Sequence, residues 1–314
     1  MTQVQEAKDI YEKIMGEMQK RIVGNEGVIE LLFASLLSGG HVLLEGVPGI
    51  AKTLMASTLA EVIKMGFKRI QFTSDLMPAD ITGGNIYDRE TSSFTFIEGP
   101  VFTNILLTDE INRSPPKTQS ALLEAMQEKQ VSSGKKTYKL PKPFMVIATQ
   151  NPIESTGVYP LPEAQIDRFL VKIPVYPPTT DGEIGMLVMK REQMFADVDS
   201  VTKKDTILKL ASEVEKSVVV SNQILEYIAK LVTTTRTIPS LALGASPRGS
   251  IALLTLSRSI AAIRGRDFVE PDDIKSIFFP IMNHRLILSP EAEIEQIRVS
   301  EIIQNILSEV EVVI

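Results

Sequence analysis

The sequence predicts an α/β domain built on a parallel sheet, followed by an all-helical domain. Three observations carry this. Five short apolar runs, His41–Leu44, Arg69–Phe72, Ile105–Thr108, Phe144–Ala148 and Leu170–Ile173, alternate with helical patterns between residues 41 and 175. Their crossovers of a few tens of residues suit parallel pairing, which cannot be closed by a tight turn. Ile105-Leu106-Leu107 and Met145-Val146-Ile147 are continuously apolar, as strands covered on both faces are. After Tyr176-Pro177-Pro178 the strand signal stops.

The elements follow in order. Val4, Ala7, Ile10, Tyr11, Ile14 and Met18 recur at helical spacing among Glu6, Asp9, Glu12 and Glu17, which makes an amphipathic helix and not a signal peptide. Leu31 to Ile50 is the most apolar stretch. Gly39-Gly40 breaks it and His41 and Glu45 lie within it, so it reads as helix, turn and strand rather than a membrane span. A helix then runs over Lys52–Lys64. Thr73–Pro100, with Gly83-Gly84 and Phe94-Thr95-Phe96, reads as an inserted loop or hairpin, and Val131–Leu140 as a β-hairpin around Ser132-Ser133-Gly134-Lys135-Lys136. Long insertions in compact α/β domains are usually functional; surface decoration is the plain alternative. We divide the chain into residues 1–178 and 179–314, with a linker at 176–180. Beyond it, residues 181–195, 203–214, 221–235, 247–264 and 271–281 read as helices. Ile294, Ile297, Ile302, Ile306 and Val310 give a C-terminal helix an apolar face to dock on the others.

Composition removes much chemistry. The 314 residues are many for one compact core. No cysteine is present, which excludes disulfides, thiolate nucleophiles, iron–sulfur clusters and cysteine zinc sites. His41 and His284 are the only histidines, too few for a histidine-rich metal site. The 33 basic and 39 acidic residues leave a net charge of −6, which argues mildly against a dedicated nucleic-acid binder. Most of that acidity lies in residues 289–314, which hold six Glu and one Arg, so it says little about partners. A cytoplasmic protein without a membrane span is the expectation.

Chemistry concentrates at strand ends. Gly46-Val47-Pro48-Gly49-Ile50-Ala51-Lys52-Thr53 follows one strand directly and opens a helix, the arrangement of a phosphate loop. Backbone N–H groups and a helix N-terminus face an anion, a lysine reaches the outer phosphates, and a hydroxyl ligates magnesium. The pattern expects Gly where Ala51 stands; alanine suits that position if its dihedrals are helical. The plain alternative is a Gly/Pro turn capped by a solvated lysine. The next run ends in Asp109-Glu110. In a phosphate-loop enzyme the first acid holds magnesium and the second polarises the attacking water. Two ionised carboxylates at the end of a buried strand call for a nearby cation, although a strand simply running into a polar turn looks the same. Asn151, in Ala148-Thr149-Gln150-Asn151-Pro152, ends a third strand, where an amide can orient the lytic water. Ligands of open α/β sheets bind at this carboxyl edge. Arg168 ends a short helix before the last strand, and Arg248 opens a helix of the second domain. An arginine on transition-state phosphate charge is worth roughly 10³–10⁵ in rate. An ordinary surface ion pair, worth under ~1 kcal/mol, stays open for both.

Gly46–Thr53, Leu106–Arg113 continuing through Ser114–Met126, Ala148–Pro152 and Tyr159–Phe169 together resemble the MoxR family of AAA+ ATPases. The resemblance extends through Ala245–Arg248 and His284–Pro290, so it covers nearly the whole chain, and the family's loop normally has Ala before the lysine. It implies a five-stranded αβα core, a small helical lid, and magnesium-dependent ATP hydrolysis at the subunit interfaces of a ring, most often a hexamer. The implied task is chaperone-like maturation of a partner complex, including metal-cofactor insertion, often with a von Willebrand factor A domain protein. Carried over, Lys52 and Thr53 are the Walker A lysine and magnesium ligand, and Gly46, Val47, Pro48, Gly49, Ile50 and Ala51 the rest of the nucleotide loop. Asp109 and Glu110 are the Walker B pair, Asn151 is sensor 1, Arg168 the finger offered to a neighbouring subunit, and Arg248 sensor 2. Val23, in Ile22-Val23-Gly24, borders the adenine, with Asn25 where a glutamine commonly follows. Arg113 is a rival trans-acting arginine. Thr73–Pro100 resembles the helix-2 insert and Val131–Leu140 the pre-sensor hairpin, both facing the ring's pore. A magnesium-chelatase-like ATPase subunit and a nucleic-acid-stimulated AAA+ motor share this core; a small-molecule kinase and a non-catalytic switch fit less well.

Overall fold

The computed structural model describes residues 3–90, 92–134, 136–153, 157–192 and 197–312. Helices α1 (Gln3–Gln19) and α2 (Glu26–Leu37) lead into β1 (Val42–Glu45), the glycine-rich loop and α3 (Lys52–Val62). Then come β2 (Phe67–Gln71), the one-turn helix α4 (Pro78–Thr82), a hairpin of β3 (Gly83–Asp88) and β4 (Ser93–Glu98), and β5 (Ile105–Asp109). A 3₁₀ turn at Ile111–Arg113 and α5 (Pro116–Glu128) precede a second hairpin of β6 (Gln130–Ser133) and β7 (Lys136–Lys139). The α/β part closes with β8 (Met145–Gln150), α6 (Glu163–Ile166) and β9 (Val171–Pro174). Helices α7 (Thr180–Arg191), α8 (Lys204–Ser217) and α9 (Asn222–Thr234) follow. After them come β10 (Leu241–Leu243), α10 (Pro247–Ile263), α11 (Pro271–Met282), β11 (Ile287–Leu288), α12 (Pro290–Ile294) and α13 (Val299–Glu309).

The five expected strands form one sheet in the order β2-β5-β8-β1-β9, and every pairing within it is parallel. Alternation sorts their side chains onto two faces. Leu43, Leu106 and Val146 pack into a core with Leu122, Leu123 and Met126 of α5. Val42, Leu44, Ile105, Leu107 and Ile147 pack on the other side, against α1, α2 and α3. Each such fully buried side chain contributes about 1.5–3 kcal/mol. Both faces are covered, which is why β5 is buried at all five positions and reads as an unbroken apolar run.

His41 stitches the layers together. Its Nδ1 accepts from Val146 N at 2.9 Å and its Nε2 lies 3.2 Å from Met126 O, which requires the neutral Nε2–H tautomer. Burial pushes its pKa down to about 4. It is a structural histidine and not a catalytic base.

The two insertions are both hairpins, and they pack as a pair. Asn85 Nδ2 donates to Ser133 Oγ at 3.0 Å, and the rings of Phe96 and Tyr138 stack with centroids 3.9 Å apart. Met77, Ile86, Tyr87, Phe94 and Ile97 of the first insertion stay more than half exposed.

The helical part shares its core with the N-terminal helices, since α1 packs on both α8 and α10. It also carries a short antiparallel pair, β10 with β11, too brief to show alternation in sequence. The helix expected to reach residue 195 is described as far as Arg191, and residues 193–196 lie outside the described residues. The single C-terminal helix is corrected to two. Gln296, at φ 58°, turns the chain between α12 and α13, so Ile302 and Ile306 are buried while Ile294 is 82% exposed. Among the described residues no helix is long and apolar enough to cross a membrane.

Candidate functional site

The loop leaving β1 is shaped by close approach. A Cβ at Gly46 would lie 2.6 Å from Val175 O, so only glycine fits where the loop passes the end of β9. Gly46 N donates to Gln150 O at 3.1 Å, which ties the same point to β8. Gly49 has φ +87°, and Pro48 and Gly49 are exposed at the loop's crest beside Val47. Ile50 turns inward and packs against the main core, so it anchors the loop.

Ala51 overturns one expectation. Its dihedrals are φ 62° and ψ 16°, left-handed rather than helical. An L-residue there costs roughly 1–2 kcal/mol, a local strain that the surrounding loop must hold. The position is therefore one that favours glycine, and alanine occupies it against its preference.

Helix α3 begins at Lys52 with no side-chain cap, leaving its first N–H groups and its positive dipole end open to an anion. Lys52 Nζ donates to Gly46 O and so spans the loop it serves.

The acids of β5 sit at the end of the next strand but one, with β8 between. Asp109 is 7% exposed, and its Oδ2 accepts from Arg69 Nε at 2.6 Å. The cation that a buried carboxylate demands is thus already present as Arg69, and burial of Asp109 does not by itself argue for a metal. Thr149 Oγ1 donates to Asp109 Oδ1 at 3.2 Å and accepts from Glu110 N at 3.0 Å, binding both acids to β8. Glu110 has left-handed dihedrals, φ 55° and ψ 52°. Its Oε2 accepts from Gln71 Nε2 at 2.8 Å and pairs with Arg113 Nε at 2.9 Å. Arg113, the rival trans-acting arginine, thus engages the glutamate of its own chain. Asn151 lies nearly buried beyond β8, where its Oδ1 accepts from Ile153 N at 3.2 Å. The hydroxyl of Thr53 and the carboxylate of Asp109 are oxygen donors of the kind a hard divalent cation takes, so the residues present fit magnesium.

At the carboxyl end of β9 lies a cavity of about 600 Å³ lined by Val23, Pro174, Tyr176, Pro178, Ile277 and Pro280, among others. Val23 is where the adenine contact is expected. Gly182 of α7 also lines the cavity, where a Cβ would come within 3.0 Å of Pro178 Cβ.

Arg168 and Arg248 are elsewhere. Arg168 precedes β9, and Leu170 N donates to His41 O at 2.8 Å, which fixes this turn at the amino edge of the sheet. The full length of β1 lies between it and the loop, on the order of 15 Å at ~3.3 Å per residue. Arg248 stands near it, its Nη1 3.7 Å from Asp167 Oδ2, and both arginines line a cavity of about 330 Å³. The Nε of Arg168 is buried without a hydrogen-bond partner. The expected site therefore divides into Val23, the loop, Asp109, Glu110 and Asn151 on one edge, and Arg168 with Arg248 on the other.

Arg69, Gln71 and Thr149 were missed from sequence. The alternation of Arg69 and Gln71 about buried Ile70 is a signal, but only strand order places β2 beside β5.

A parallel sheet with a phosphate loop, paired acids on the next-but-one strand and an appended helical region defines a nucleotide-binding core of the AAA class. The comparisons agree. Residues 41–171 match the ATPase family associated with various cellular activities, and residues 233–306 match the AAA lid domain. An uncharacterised Bacillus subtilis protein, YeaC, is 45% identical over 96% of this chain and 94% of its own. The chaperone MoxR1 of Mycobacterium tuberculosis is 43% identical over 95% of this chain and 81% of its own. A crystal structure of a proposed ATPase from Cytophaga hutchinsonii superposes with TM-score 0.92 at 41% identity, covering 99% of this chain and 97% of that one. The chain belongs to the MoxR family of AAA+ ATPases.

Proposed function

We propose that the chain hydrolyses ATP, with magnesium, at interfaces between copies of itself in a closed ring, a hexamer in the first instance. The observation that carries this is the division of the site between opposite edges of one sheet. Arg168 and Arg248 lie a strand's length from Lys52 of their own chain, where they line one cavity and the buried Arg168 Nε has no hydrogen-bond partner. A head-to-tail contact brings the amino edge of one copy to the carboxyl edge of the next, and such contacts form a ring where the rotation between copies closes.

In this reading Lys52 and the N–H groups of the loop hold the β- and γ-phosphates. Thr53 and Asp109 hold the cation, which screens phosphate charge when bound. Glu110 leaves Gln71 and Arg113, takes a proton from water at its carboxylate, and the hydroxide attacks the γ-phosphorus as the bond to the β-phosphate oxygen breaks. Asn151 orients that water. Arg168 and Arg248 of the neighbour meet the charge that develops. Residues 1–178 act as the core and 179–314 as a lid whose motion hydrolysis drives. The paired hairpins at 73–100 and 131–140 face the pore, where their exposed Ile86, Tyr87 and Phe94 contact a client. The task is maturation of a partner complex in the cytoplasm, with a von Willebrand factor A domain protein as partner and metal-cofactor insertion as one form of it.

Mixing subunits tests the reading. Lys52→Ala is expected to abolish steady-state turnover alone, and Arg168→Ala to lower it about 10³-fold to a measurable residual rate. An equal mixture should regain activity at about a quarter of its interfaces, those where an intact loop meets an intact arginine. A mixture as inactive as its components sinks the trans assignment.

A further inference from the structure

The motif Asn283-His284-Arg285 has no part in the chemistry above, yet it reaches from the helical part to the turn that carries Arg168. Arg285 is almost completely buried, its side chain 3% exposed. Its Nε donates to Asp167 Oδ1 at 2.8 Å. Its Nη2 donates to Phe169 O at 2.8 Å and to Asp167 O at 3.3 Å, and its Nη1 to Leu170 O at 3.2 Å and to Ile281 O. One planar guanidinium thus grips the carbonyls immediately before and after Arg168. Asp167 also accepts from Ser246 Oγ at 3.2 Å, the cap of α10, and faces Arg248. Asn283 Nδ2 completes the attachment by donating to Lys172 O at 2.9 Å.

We propose that Arg285, working through Asp167, is a positioning residue that sets Arg168 and Arg248 in register for the neighbouring copy's phosphates. A buried arginine is a costly way to fill space, and an apolar side chain would serve packing alone. What a guanidinium adds is a rigid fork whose donors fix several acceptors at once, which a lysine cannot reproduce. The same fork spans two parts of the chain, so a shift of α11 relative to β9 is delivered to both arginines together. The proposal rests on the trans reading above.

The test is Arg285→Lys in the full-length chain. Turnover should fall about 10²-fold, the cost of a small misplacement, while KM for ATP changes less than about threefold. In an Arg168→Ala background the same substitution should cost less than about threefold more, because the residue through which it acts is gone. Mixed with Lys52→Ala subunits, Arg285→Lys subunits should regain turnover. If Arg168→Ala regains turnover in the mixture and Arg285→Lys does not, this inference falls and the trans reading stands. If neither regains it, both fall. Additive losses in the double variant also overturn the inference. Should Arg285→Lys fail to fold by circular dichroism, Asp167→Asn takes its place with the same expectations, and unfolding of both leaves only a structural staple.

Discussion

A hydroxyl and an imidazole show how single residues set this site. Thr149 is buried, and its Oγ1 serves Asp109 and the backbone of Glu110 at once. Thr149→Val keeps the shape and deletes both bonds, so a buried N–H and a carboxylate oxygen lose their partner at a cost of about 1–3 kcal/mol. Urea denaturation should register that loss, ATPase assays should show turnover reduced about tenfold, and Thr149→Ser should restore both. His41 makes a pH-dependent contribution. Its native pKa of about 4 lies below the ordinary value of 6.5, so the unfolded chain binds the extra proton first. Its stabilisation is complete above pH 6.5, declines as pH falls toward 4, and is flat below; the total is on the order of 3 kcal/mol. His284 is likewise held well below its ordinary value by burial and by the Arg285 charge, and adds a slope of the same sign. The difference in unfolding free energy between wild type and His41→Asn, measured from pH 7 to 4.5, isolates the first of these. A constant difference across that range would refute it.

At the scale of elements, the junction of α10, α11 and α2 is built on one carboxylate. Asp273 has no exposed surface; it takes Arg266 through both oxygens, at 2.5 and 2.8 Å, and Arg264 at 3.1 Å. Its Oδ2 also caps α11 by accepting from Glu270 N at 2.9 Å, and Arg264 reaches on to Glu30 of α2 at 3.2 Å. Removing one partner of such a network strands charges that have already left water. Asp273→Ala should lower stability by about 3–5 kcal/mol in urea melts, with the helical part opening first by hydrogen exchange. The elements themselves were largely legible. Each of the five strands falls within two residues of its sequence position, because period-2 burial and the continuity of a doubly covered strand are local properties. The C-terminal helix was not, because Gln296 carries no glycine or proline to mark the turn it makes. The β10–β11 pair was invisible for the opposite reason: three- and two-residue strands have no period to read.

Across the whole molecule, direction decides more than composition. In a parallel sheet every residue that follows a strand shares one edge and every residue that precedes one shares the other. Lys52, Glu110 and Asn151 follow their strands; Arg168 precedes its own, an asymmetry available in the sequence and the one on which the proposed trans role rests. For Arg248 no such signal existed, since it comes from the helical part, whose placement follows from packing of α1, α8 and α10. The sequence alone determined the candidate reagents: a phosphate loop contiguous in eight residues, paired acids at a strand end, an amide, and the exclusion of thiol chemistry and of histidine-rich metal sites. Their proximity in the chain makes them readable. Tertiary structure alone decided that Arg69 pairs with Asp109, that Thr149 joins the two acids, and that Arg285 grips the turn bearing Arg168. Those contacts join residues 39 to 118 positions apart, and only strand order and the buried seam between sheet and helices bring them within hydrogen-bond reach.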